Sequence, residues 1–257
     1  MFRSLIPQVS AALALGLVAT LASAQELRIL DQAGAGKANI AALRARLTPW
    51  TPRVYQYLHS GDLAPIQLVL TRDAGPGLHV EDKILISPDD HELLETWIHE
   101  LAHHVTGHDS SFFFKEGIAT HTLEALFAQD HRVPLGWPQY GQSNDAWVNL
   151  FLLRGQMQSL GEAMGREEYQ GFPPEKDFRS WQIYCIAGSF VGWLIRSEGY
   201  GAFRRAFDEE SLGERGAELE QAWLNYIRHQ NPAAFEPMDY LPDGRRYRGF
   251  AQRLKPP

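Results

Sequence analysis

The segment from Ser87 to Glu116 constrains this chain more than any other. It sets two histidines one helical turn apart inside an apolar helix pattern. Leu93, Leu94, Trp97, Ile98, Leu101, Ala102 and Val105 recur at i, i+3, i+4 spacing, which predicts a helix with one buried stripe. Ser87-Pro88-Asp89-Asp90 reads as an N-cap, a proline at the first helical position and acids in the first turn. Gly107 offers a left-handed stop. Within this frame lies His99-Glu100-Leu101-Ala102-His103, with both histidines off the centre of the stripe, so the helix is expected to turn them toward an opening.

That spacing has a chemical meaning. Side chains at i and i+4 stand about 5–6 Å apart at Cβ on one helix face. Two imidazoles so placed can share one zinc ion at roughly 2.0–2.1 Å per bond. Glu100, next to the first histidine, is then placed to take a proton from water at the open coordination position. In a chain with ten histidines a chance match has a probability on the order of a few per cent. The cap and the off-stripe placement lower it further, so a metal site is the expectation.

Residues 1–24 read as a secretory signal peptide, with Arg3, an apolar run from Val9 to Leu21, and the small-x-small pattern Ala22-Ser23-Ala24. The run is short of the roughly 20 residues that a membrane span needs, so no stable anchor is expected and the protein should be exported, periplasmic or secreted. Residues 25–257 then suit a single domain. The formal charge of −7, more acidic once Arg3 is removed, argues against nucleic acid as a partner. Cys185 is the single cysteine, so export brings no intramolecular disulfide, and a small buried apolar role is expected for it.

Along the chain, Glu26–Leu30 reads as a strand and Ile40–Leu58 as a helix broken or kinked at Pro49 and Pro52. Ile66–Thr71 and Lys83–Ser87 are further strands, separated by the turn Asp73–Gly77. Helices are expected over Phe112–Gln129, Asp145–Met157, Ser180–Arg196, Gly201–Phe207 and Ala217–Arg228, with loops between His131 and Gln182. From about 231 onward the chain is a proline- and arginine-rich extension.

Two histidines and a water leave zinc one protein ligand short of a catalytic site. His108 is out of register for the metzincin pattern, since Thr106 and Asp109 occupy its glycine and third-histidine positions. His104 and His108 read as outer histidines. Glu116 is the better candidate. Phe114-Lys115-Glu116-Gly117-Ile118-Ala119 resembles the Trp-x-x-Glu-Gly-x-Ala signature of the gluzincin metallopeptidases. Tyr184-x-x-Ala187-Gly188-Ser189-Phe190 with Leu194 resembles the Tyr-x-x-Gly-Ala-Ser helix of the gluzincin aminopeptidases, and Gly199-Tyr200-Gly201-Ala202-Phe203 follows as their next helix does.

Matched segments span roughly residues 84–228. The resemblance implies an α+β fold, with a small N-terminal mixed β-sheet followed by a mainly helical zincin domain. It implies one zinc held by His99, His103 and Glu116, hydrolysis of a peptide or protein substrate with Glu100 as general base, and Tyr184 as an oxyanion donor. For Tyr184 a packed core tyrosine is the alternative.

The interval from His103 to Glu116 is shorter than in the large aminopeptidases and matches compact secreted relatives. The Gly-Ala-Met-Glu-Asn motif that binds a free amino terminus is absent, so an endopeptidase is implied. Position 120 is threonine where thermolysin-like enzymes carry a carboxylate that orients a ligand histidine. Asp109, Glu95 or a backbone carbonyl could substitute. An extended substrate would lie along residues 77–86. The competing classes are a zinc-binding or scaffolding protein without turnover and a non-peptidase zinc hydrolase.

Overall fold

A computed structural model describes residues 27–60, 66–72, 77–90, 92–107, 110–136, 138–166 and 178–230. The segment expected to be a signal peptide, the C-terminal extension, His108, Asp109 and most of the turn expected at 73–77 lie outside the described residues.

Four short strands, β1 (Arg28–Asp31), β2 (Gln67–Leu70), β3 (Leu78–Val80) and β4 (Lys83–Ile86), form one sheet in the order β1-β2-β4-β3. The first three in that order are parallel, and β3 is antiparallel to β4 at the edge. The fold is therefore α+β with a small mixed sheet. Register puts Ile29, Leu68, Ile84 and His79 in one row across the strands. Leu68 and Ile84 are fully buried, so this is the inner face. Leu78 and Val80 point the other way and are exposed.

Between β1 and β2 the chain makes α1 (Lys37–Leu47) and α2 (Thr51–Tyr57). Pro49 falls in the gap and Pro52 in the first turn of α2, so the expected kink is a full break. Arg53 anchors α2. Its guanidinium makes two 2.9 Å bonds to Asp130, a third to the Leu126 carbonyl, and lies 4.3 Å from the Trp50 ring centre.

The histidine helix α3 runs Leu93–Thr106. It starts later than the sequence implies. Ser87 to Asp90 close a separate turn through Asp90 N–H and the Ser87 carbonyl. Asp90, not Ser87, then receives the Glu92 N–H at 2.8 Å and the Thr96 hydroxyl at 2.7 Å. The C-terminal end is as expected: Gly107 has φ of 88° and its N–H reaches the His103 carbonyl.

Helix α4 (Phe112–Gln129) packs against α3, and α7 (Phe178–Glu198) packs along α4. Between them come α5 (Asn144–Leu153), shorter than expected, and α6 (Leu160–Met164), which the sequence reading assigned to loop. Helices α8 (Tyr200–Asp208) and α9 (Gly216–Gln230) close the domain.

Trp181 to Leu194 of α7 is an unbroken buried run, so that helix is the centre of the core. Cys185 within it is fully buried, as expected. Helices α4 and α7 approach closely because the contact residues are small. A β carbon on Gly117 would sit 2.7 Å from Val191 Cγ2 and 3.0 Å from the Ala187 carbonyl oxygen. Among the described residues no helix is long and apolar enough to cross a membrane.

Candidate metal centre

Helix α3 supplies His99 and His103, and the second turn of α4 supplies Glu116. Their donor atoms converge. Glu116 Oε2 lies 3.0 Å from His99 Nε2 and 3.5 Å from His103 Nε2, and the two Nε2 atoms are 3.2 Å apart. Three donors bonded to one zinc at tetrahedral angles stand about 3.3–3.4 Å from one another, so the observed triangle fits that ion. Two imidazoles and one carboxylate are also a donor set of the right chemistry for it, with one position left open. Among the described residues this is the one group of three or more such side chains drawn together.

The electrostatics suit a cation. Burial pushes the Glu116 carboxyl up, but His103, by charge and hydrogen bond, and then His99 outweigh it and hold the group well below the usual carboxylate range. Burial likewise opposes the charge on His103, and Glu116 more than restores it. Each group is buried only because its neighbours compensate it.

The remaining expected residues fall around this triangle. Tyr184 comes from α7 with its ring centre 6.5 Å from that of His99 and 5.4 Å from Phe112, edge-on to the latter. Gly117 is what permits this. With no side chain there, α7 closes to backbone contact at Ala187, three residues beyond Tyr184, and the phenol-bearing turn is carried to the histidines. Glu100 sits on the adjacent face of α3, beneath the start of β3. A β carbon on Gly77 would be 3.2 Å from Glu100 Oε1.

Some expectations did not carry over. His99 and His103 are 9 % and 7 % exposed, so they lie under cover rather than at an open mouth. Glu116 and Tyr184, contributed by two later helices, close over them. His104, read as an outer histidine, stays out of the triangle: its Nδ1 is 3.0 Å from His79 Nε2 on β3. Glu95 faces Glu92, Arg46 and Arg132, and Thr120 is fully buried beside Gly188. His121, five residues past Glu116, bonds Tyr57 at 2.7 Å and belongs to a different cluster.

No family model, curated protein or solved structure matches this chain. The centre stands on its own geometry. Sequence reading set an extended substrate along residues 77–86 without singling out Gly77 or His79 within that stretch. The Gly-Pro-Gly at 75–77 signalled a turn, and nothing in the local pattern signalled that Gly77 lies against Glu100.

Proposed function

We propose that this protein is an exported zinc metallopeptidase of the gluzincin type that cleaves internal peptide bonds. The observation that carries the reading is the donor triangle of His99, His103 and Glu116 with Glu100 on the next helical face. Those three side chains would hold the zinc, and Glu100 is left over as a carboxylate beside it.

When bound, the ion would supply a Lewis acid that polarises the scissile carbonyl and brings the pKa of water down to about 7. Glu100 accepts the proton from the attacking water and returns it to the leaving amine nitrogen. Tyr184 donates its phenolic proton in a hydrogen bond to the carbonyl oxygen as charge builds there. Strand β3 stands at the edge of the described sheet next to Glu100, so an extended peptide adds to it as a further strand. Substrate orientation then comes from main-chain bonds, and sequence preference from what flanks them.

Metal content tests the assignment of ligands. Wild type should carry one zinc per chain, and His99→Ala, His103→Ala or Glu116→Ala should each lose it while remaining folded. Stoichiometric zinc in Glu116→Ala would remove the third ligand from the proposal.

A further inference from the structure

Resting on that reading, we infer that His79 is a positioning residue: with His104 it clasps the edge strand to the metal helix and sets the height at which a peptide is presented to Glu100. Strand β3 is only three residues long and, among the described residues, has one strand neighbour, β4. Its Leu78 and Val80 side chains are exposed, and His79, 8 % exposed, is the strand's inward-facing side chain. The His79 and His104 rings meet edge to face with centroids 5.0 Å apart, and Nε2 of the first is 3.0 Å from Nδ1 of the second.

A second contact fixes the same strand one step back. Gly77 lies so close to α3 that a β carbon there would be 2.4 Å from Thr96 Cγ2 and 3.2 Å from Glu100 Oε1. Thr96 cannot swing aside without giving up its 2.7 Å bond to Asp90. Glu100 and His104 are one helical turn apart, a rise of about 6 Å. Gly77 and His79 are two strand residues apart, about 6.6 Å. The two spacings match, so β3 runs along α3 with successive inward positions over successive turns. Gly77 sets how near the strand comes to the base, and the His79–His104 pair holds it there.

A bond that merely packs the fold would affect stability and leave substrate binding alone. A bond that positions the peptide-accepting strand affects KM. His79→Val keeps a strand-forming side chain and removes the bond, and His79→Gln keeps a donor able to reach His104 Nδ1. On an extended internally quenched peptide, His79→Val should raise KM about tenfold, the worth of roughly one hydrogen bond. Its kcat should stay within about twofold of wild type and its zinc at one per chain, because Glu100 and the metal ligands sit on rigid helices. His79→Gln should recover most of the KM.

Hydrogen exchange at residues 78–80 gives a readout independent of turnover. In His79→Val those amides should lose protection while α3 keeps its own. An unchanged KM in active, zinc-loaded His79→Val, or a loss in kcat without one in KM, overturns the role in presentation. Unchanged exchange in β3 overturns the clasp itself. A wild type that cleaves nothing refutes the peptidase reading instead, and the exchange result still decides the clasp.

Discussion

Replacing Gly117 with alanine tests the contact that brings the third wall of the site into place. In a helix interior, glycine to alanine ordinarily gains about 0.8–1.0 kcal/mol. Here the added methyl would lie 2.7 Å from Val191 Cγ2, 3.0 Å from the Ala187 oxygen and 3.2 Å from the Ala187 carbonyl carbon. Valine can rotate, but the backbone of a fully buried helix cannot step aside locally, so α7 must shift. Overpacking of that kind costs about 1–3 kcal/mol, which outweighs the propensity gain and leaves a net loss of up to about 2 kcal/mol.

Gly161, near the start of α6, is the control, because a β carbon there meets nothing within 4 Å. Gly161→Ala should stabilise by up to about 1 kcal/mol. Urea unfolding should therefore move the two midpoints in opposite directions with unchanged m-values. In an active enzyme Gly117→Ala should also lower kcat, as α7 backs away with Tyr184. If Gly117→Ala raises the midpoint as Gly161→Ala does, the close helix crossing is wrong, and with it the account of how Tyr184 reaches His99.

Tyr184→Phe should lower kcat by about 100–1000-fold, roughly 2.7–4 kcal/mol, with KM, zinc content and thermal stability near wild type. Retention of more than about a tenth of kcat would return Tyr184 to a packing role. Stability should also depend on pH through two groups remote from the metal. Burial pushes the Glu124 carboxyl up to about 7, above its unfolded value of 4.5, so its cost is absent below pH 4.5 and grows as pH rises to 7. At full extent that is about 3 kcal/mol, so Glu124→Gln should gain stability over wild type as pH rises from 5 to neutral.

His121 has the opposite sign. Burial, aided by Arg196, pushes its imidazole down to about 3, so stability is lost as pH falls from 6.5 toward 3. Denaturant midpoints measured from pH 4 to 8 check both. A Glu124→Gln profile parallel to wild type would contradict the first.

What the sequence made legible was whatever a single helix period encodes. Phe112–Gln129 is expected and observed with the same limits, and the His99/His103 pair needs only i, i+4 geometry. Glu116 was reached through the resemblance of its Glu-Gly-x-Ala stretch to the gluzincin signature, and the close approach that Gly117 allows, the physical cause of that glycine, shows only in the fold. The start of α3 was misjudged because Ser87–Asp90 close a turn of their own, and the helix begins after Glu92, whose N–H, with the Thr96 hydroxyl, is held by Asp90.

Helix α6 is only five residues, too short for a periodic signal, although Ser159 and Glu162 form a capping box that marks it. Strand β3 is three residues with a histidine at its buried position, so alternation could not reveal it. Its partner His104 is 25 residues away, and the pairing exists only once the sheet has docked on α3.

Peptide turnover is the central claim, and one digest tests it. The protein lacking residues 1–24 is incubated with an unbiased peptide library as wild type and as Glu100→Gln, each with chelator and with zinc restored. Wild type should cleave internal bonds, stop with chelator, and recover with one equivalent of zinc. Glu100→Gln should hold its zinc and lose activity by about 100-fold or more. Zinc-loaded wild type that leaves every peptide intact, or Glu100→Gln that cleaves as well as wild type, would contradict the account.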